Sequence, residues 1–413
     1  MREVIVIGGG AAGLMAAIAA AERGARVTLL ERNEKPGKKL YITGKGRCNV
    51  TNDCAAEDFL REVPRNPRFL YSALADFAPR DMMDFLERNG CPVTVQRGRR
   101  VFPASEKASD VTRTLVRVTE RLGVRAVYNC RVQGLILREG RCAGVRTEGR
   151  EWPADAVIVA TGGLSAPLTG STGDGYRFAE EAGHSLTPRR PSLSAIETAD
   201  AWPCELQGLA LRNVTLTLRE TKRGKILYTE LGEMLFTHFG ISGPLVLEMS
   251  CHLPEDWREP GRVAAELDLK PGLSAEQLDA RLQREFAAAP RKRLANVLPA
   301  LLPARLAALF PELAKVDAEK PCGEITREER RALCGTLKSL PIAMKALRPI
   351  DEAIVTRGGV SVKEIDPATM ASKKVPGLYF AGEVIDVDAH TGGYNLQIAF
   401  ATGHLAGSCA AEE

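Results

Sequence analysis

The chain lacks most of what would mark it for a membrane, a metal or a nucleic acid. Its 413 residues hold no apolar run of the roughly 18 residues that a membrane helix needs. At the N-terminus the first apolar segment begins at Val4, and three glycines follow it almost at once. That is not the form of a signal peptide. The ten cysteines include no C-x-x-C pair and no Cys/His cluster of zinc spacing, so no metal is expected. Scattered free thiols fit a reducing cytoplasm, which is where we expect the chain to work. Aromatic residues are only 5% and the formal net charge is only +4. Few rings can stack on bases and little charge can neutralise phosphates, so the expected partner is a small molecule, with no nucleic acid and no membrane. Nothing in the sequence speaks to the oligomeric state.

What the chain does have is an ordinary globular composition, 45% hydrophobic and 26% charged, and length for two or three domains. The β-branched run Glu3–Ile7 reads as a buried parallel strand. Gly8-Gly9-Gly10-Ala11-Ala12-Gly13 follows, then an Ala-rich helix to about Arg23, then a second strand from Arg26 to Leu30 closing on Glu31. This is a βαβ unit. Ala126–Val132, Leu135–Leu137, Gly144–Arg146 and Ala156–Ala160 read as further strands. From about Pro191 short alternating segments such as Val214–Leu218 and Val263–Leu269 suggest an antiparallel sheet or small barrel. Ser274 with Gln277, and Thr326 with Glu329, have capping-box spacing at two helix starts. Near Thr356 the α/β texture returns, and a last helix is predicted from Tyr394 to about His404.

The glycines carry the first chemistry. Gly8 permits the tight strand-to-helix turn, Gly10 lets a pyrophosphate approach the backbone, and Gly13 lets helix and strand pack closely. The helix start at Ala11 and Ala12 offers N–H groups and partial positive charge to phosphates. Glu31 is placed for ribose hydroxyls and would repel a 2′-phosphate, which leaves FAD or NAD. Two later patterns decide for FAD. Ala160-Thr161-Gly162-Gly163 ends one strand, and Tyr379-Phe380-Ala381-Gly382-Glu383 ends another near the C-terminus, as in two-dinucleotide-binding-domain flavoproteins. An acidic residue at the second pattern takes the ribityl chain, and either Glu383 or Asp386 is placed for it. Gly392, Gly393, Tyr394, Asn395 and Leu396 open a helix where a reduced flavin carries negative charge. In the segment from Gly44 through Gly46 to Asn52, Arg47 is a candidate phosphate partner and Asn49 a candidate for the isoalloxazine edge. Cys48 is a candidate redox thiol, although a packed cysteine has the same signature. Arg32, Lys39 and Val132 complete the candidate cofactor contacts.

Together these motifs make the chain similar to the bacterial NAD(P)/FAD-dependent oxidoreductases, a family that includes aminoacetone-oxidase-like and bile-acid dienone reductase-like flavoproteins. The matching residues include Gly8–Gly13, Lys35–Lys39, Thr43–Asn49, Ala160–Gly163, Gly170–Tyr176, Gly232–His238, Gly240–Pro244, Thr356–Val360 and Gly377–Gly403. The resemblance implies an α/β fold with a Rossmann-like FAD domain built from residues 1–191 and 356–413. An insertion, 192–355, would comprise a β-barrel-like part (192–271 and about 336–355) and a helical part (272–335). It also implies oxidoreductase chemistry. One expectation is a reductase of an activated, enone-type alkene, with NAD(P)H as a transient co-substrate. The alternatives are an oxidase of a small amine using O2 and, from another class, a flavin-bearing RNA-modifying or RNA-binding protein. His238, in a glycine-flanked turn of the insertion, is the candidate general acid, and a turn-bracing histidine is the bland alternative. The basic run Arg291–Arg293 reads as a solvated face.

Overall fold

The computed structural model describes residues 1–412. The chain divides into two units, Met1–Ser192 with Pro349–Glu413, and Leu193–Arg348. Ser192 and residues 349–355, expected in the insertion, therefore go with the first unit.

The first unit is organised by a five-stranded parallel sheet. Its strands are β1 (Glu3–Ile7), β2 (Arg26–Leu30), β3 (Arg125–Val127), β4 (Ala156–Val159) and β5 (Leu378–Phe380). They lie in the order β5-β4-β1-β2-β3. β4 and β5 are buried along their whole length, as strands covered on both faces must be. Helix α1 (Ala11–Glu22) is apolar all round and buried from Ala12 to Ala20, so it belongs inside the unit rather than on its surface. It packs against α2 (Tyr394–Glu412) along almost bare backbone. A Cβ on Gly403 would lie 2.3 Å from the Ala12 carbonyl oxygen, and one on Gly407 would lie 2.2 Å from that of Ala16. That packing explains why α2 runs to Glu412 and not to His404: glycines that resemble stop signals are contact points here. β3 is likewise shorter than the predicted Ala126–Val132 strand. Asn129 turns the chain at φ 51°, and the Asn129 and Cys130 amides bond the carbonyls of Asn33 and Glu31 instead.

The second unit carries a seven-stranded antiparallel sheet. Its edge strands, Leu340–Ile342 and Met344–Leu347, are separated by Ala343 alone. Opposite edges joined by one residue require the sheet to curl strongly. Helices Ala275–Ala288 and Arg327–Lys338 begin with the capping boxes expected from the sequence: Ser274 with Gln277, and Thr326 with Glu329. Among the described residues no helix is long and apolar enough to cross a membrane, and no group of acidic, Cys and His side chains could hold a metal.

One charged cluster fastens the segment before β5. Glu364 accepts from the Ser185 N–H at 2.7 Å, the Ser185 hydroxyl at 2.9 Å and Lys374 Nζ at 2.8 Å. Burial pushes this carboxyl up, but these donors outweigh it and hold it at about 2. The folded value lies below the ordinary one, so the stabilisation is present above the ordinary carboxylate range and is lost as pH falls toward about 2. Glu364→Gln is expected to cost about 1.5–3 kcal/mol at neutral pH, the usual worth of hydrogen bonds to a charged group. Melting curves should show the gap from wild type narrowing with acidification; a gap independent of pH would contradict this account.

Candidate cofactor and active site

The turn from β1 into α1 is a backbone cradle. Gly8 has φ +103°, and a Cβ there would sit 2.6 Å from the Ala160 carbonyl oxygen at the end of β4. A Cβ on Gly13 would sit 1.8 Å from the Gly8 carbonyl oxygen, while one on Gly10 would meet nothing within 4 Å. Two of the glycines are thus required by the protein itself, and the third faces open space. No side chain caps α1 and its first turn holds no acidic residue, so its N-terminal charge is left for a ligand. Glu31 stands beside it, 6% exposed. Its Oε2 accepts from the Gly9 N–H at 2.7 Å and its Oε1 from the Asn33 N–H and Nδ2 at 2.8 Å. Oε1 is filled by its two donors, and Oε2 keeps acceptor capacity for a hydroxyl. Arg32 is turned away toward Thr172 and Asp174.

The two candidate ribityl carboxylates differ in what they already hold. Glu383 pairs with Lys39 Nζ at 2.7 Å, and also accepts from the Ser165 hydroxyl at 2.9 Å and the Thr356 N–H at 2.8 Å. Asp386, 3% exposed, accepts weakly from Asn66 Nδ2 at 3.3 Å with Arg65 3.6 Å away, and its Oδ1 is buried without a hydrogen bond. Asp386 therefore has the unused capacity. Gly382 lets the end of β5 approach α1, because its Cβ would lie 2.8 Å from that of Ala12. Gly162, at φ +74°, makes room for Ser171. The Thr161 hydroxyl is turned toward Gly175, and Val132 is buried in the core.

A third strip joins the Gly44–Asn52 segment to the start of α2. A Cβ on Gly44 would come within 3.0 Å of the Asn49 amide nitrogen, and one on Gly393 would lie 2.3 Å from the Thr51 carbonyl oxygen. Asn52 Nδ2 bridges the carbonyls of Gly98 at 3.0 Å and Gly392 at 3.1 Å. Sequence reasoning did not single out Asn52, because its partners lie far along the chain. Asn49 Oδ1 is buried and without a partner, which keeps it a cofactor candidate. Arg47 is committed elsewhere: its guanidinium lies over the Phe102 ring at 4.5 Å and contacts Glu106 at 3.3 Å. Gly46 has φ +84°. Tyr394 packs edge-on against Phe59, and burial pushes its hydroxyl up. Asn395 spends its amide on its own loop, accepting from the Ala389 N–H at 2.9 Å and donating to the Ala389 carbonyl at 2.7 Å. Leu396 is half-buried beside it.

Cys48 is corrected. It is fully buried, and burial pushes its thiol up to about 12, so a thiolate is disfavoured and the redox reading is withdrawn. His238 lies in the second unit, exposed in the turn between strands Ile226–Thr237 and Gly240–Ser242, with its ring edge-on to Phe239 at 5.0 Å.

The open space at Gly10, the uncapped start of α1 and the unpartnered oxygens of Asp386 and Asn49 fit a dinucleotide whose far end reaches α2. The comparisons agree with that reading. The family model described as the HI0933-like protein Rossmann domain matches residues 2–409. A 3-dehydro-bile acid delta(4,6)-reductase of Clostridium scindens is 33% identical over the whole of both chains. A ribosomal RNA dihydrouridine synthase of Escherichia coli is 31% identical over 97% of this chain and 96% of the relative. Among solved structures, a 3-ketosteroid-delta4-(5alpha)-dehydrogenase of Rhodococcus jostii is similar in fold, with a TM-score of 0.53 at 18% identity, covering 100% of this chain and 97% of that one.

The cradle makes an asymmetric prediction. Gly10→Val should keep its fold, since Gly10 has φ −82° and open space around it, yet lose the bound cofactor. Gly13→Ala should lose about 1–3 kcal/mol or more by forcing helix from strand. Cofactor content and melting temperature on the same samples check this, and a fully loaded Gly10→Val protein would refute it.

Proposed function

The chain belongs to the HI0933-like Rossmann family and is an FAD-dependent oxidoreductase; from that premise we propose that it saturates a carbon–carbon double bond conjugated to a carbonyl, with NAD(P)H as the electron source. The observation that carries this reading is a shared chemistry in two full-length relatives. One is named for reducing the 4,6 double bonds of a 3-oxo bile acid, the other for making dihydrouridine, in which the uracil 5,6 double bond beside a carbonyl is saturated. Bound FAD would supply the hydride relay between nicotinamide and alkene. The chain's part is to hold and orient it. The start of α1 would take the pyrophosphate, Glu31 the ribose, and Asp386, with Glu383 and Lys39 beside it, the ribityl chain. The Gly392–Leu396 start of α2 would face the pyrimidine end, where its dipole favours the negative charge of the reduced form. The sequence carries one dinucleotide fingerprint, so a nicotinamide would visit the flavin face transiently.

A feature of the first unit favours a second reading, with uracil in RNA as the conjugated system. Arg97, Arg99 and Arg100 are exposed at the tip of the hairpin made by Val93–Gln96 and Arg100–Pro103. Asn52 ties Gly98, in that tip, to Gly392. Local positive charge therefore stands beside the start of α2, which a net charge of +4 conceals.

Anaerobic stopped-flow mixing tests both readings. NADH or NADPH should bleach the flavin, and a conjugated 3-oxo steroid acid or a ribosomal RNA fragment should restore its colour without O2. If RNA is the substrate, Arg97→Ala should lower the salt slope of binding by about one, the signature of one lost phosphate contact. Bleaching by a small amine with colour restored only by O2 would replace the reductase with an oxidase.

A further inference from the structure

Saturating a conjugated double bond takes a hydride and a proton, and the residues placed so far in the first unit account for no proton. Asp388 is a buried acid that the cofactor cradle does not use. It is 2% exposed. Its Oδ2 accepts from the Ser192 hydroxyl at 2.6 Å, and its Oδ1 is buried without a hydrogen bond. Ser192 ends the strand Arg190–Ser192, which pairs antiparallel with Val355–Arg357. Thr356 of that partner strand donates its N–H to Glu383. On its other side Asp388 adjoins Ala389, whose N–H and carbonyl are both held by Asn395 in the first turn of α2. Asp388 is thus anchored between the Glu383 cluster and the helix start assigned to the reacting end of the cofactor.

The charged groups facing it pull in both directions. Burial pushes the carboxyl up and Asp386 adds to that, while Arg357 and Arg65 pull it down; the net direction is upward. A buried carboxylate whose Oδ1 has no donor is costly, and protonation lowers that cost by removing the charge. A mere structural partner for Ser192 would not need an acid at all, since an amide oxygen accepts the same bond.

We propose that Asp388 is the proton source for the saturation step, an inference that rests on the reductase reading above. The π bond of the alkene breaks. The carbon far from the carbonyl gains the hydride that NAD(P)H supplied, and the carbon next to the carbonyl gains the proton of Asp388. Asp388 is left as a carboxylate and regains a proton from water. NAD(P)H is oxidised by two electrons and the alkene reduced by two. An acid held protonated by its surroundings must work at neutral pH and fail as pH rises through its own pKa.

The test uses the holoprotein and two variants, Asp388→Asn and Ser192→Ala. Infrared spectra need no substrate. Wild type should show the carbonyl band of a protonated carboxylic acid at neutral pH, Asp388→Asn should lack it, and Ser192→Ala should shift it by removing the hydroxyl partner. With the steroid acid or the RNA fragment as probe, reoxidation in Asp388→Asn should slow roughly 10²–10⁴-fold, the usual scale of general acid catalysis. Bleaching by NAD(P)H and flavin content should stay as in wild type, and the alkaline limb of the reoxidation profile should vanish. The proposal falls if wild type has no band that Asp388→Asn removes, or if that variant reoxidises at the wild-type rate. Should Asp388→Asn not fold, the wild-type band and its displacement in Ser192→Ala decide instead. A wild type that neither probe reoxidises overturns the function rather than the acid, because the band is read without substrate.

Discussion

The first unit depends on how closely backbone approaches backbone around one helix. α1 meets the β1 turn at Gly13, and α2 meets α1 at Gly403 and Gly407; at each contact an added methyl would sit within 2.3 Å of a carbonyl oxygen. Such contacts leave no room for compromise in a close-packed interior. They fix the start of α1 against the ends of β1 and β4, and they bring the C-terminal helix of the chain onto its N-terminal one. The dinucleotide cradle is the unfilled remainder of that packing: of the glycines at the turn, only Gly10 faces space that the protein does not occupy.

Distant segments are then tied together by charge and hydrogen bonds. Lys39, Ser165, Thr356 and Glu383 form one cluster drawn from four parts of the sequence. Asn52 joins the Gly98 turn to the Gly392 loop. Around these fastened groups a few buried oxygens, on Asp386, Asp388 and Asn49, make fewer bonds than they can. Buried polar groups are nearly always paired, so these exceptions beside the cradle are candidates for contact with a ligand or a proton.

Local signals were legible and distant ones were not. The βαβ unit and both capping boxes could be read because each lies within a few turns of chain and follows from spacing alone. The reach of α2 to Glu412 was hidden, since Gly407 looks like a terminator until α1 is seen against it. Cys48 had the signature of either a redox thiol or a packed cysteine, and its burial, which decides for the second, depends on segments far away in sequence. Asn395 and Arg47 were expected at the cofactor, and their side chains are held by Ala389 and by Phe102 with Glu106. Asn52 and Asp388 carried no motif, because their significance lies in partners 340 and 196 residues away.

The central claim is that this cradle holds a flavin dinucleotide, and the flavin released from the purified protein tests it most directly. Its fluorescence should be measured after denaturation, before and after cleavage with phosphodiesterase. The account predicts one flavin per chain whose fluorescence rises on cleavage, as adenine stacked on the isoalloxazine of FAD is removed. Fluorescence unchanged by the enzyme, as FMN would give, or a protein that neither carries nor takes up flavin, would contradict it.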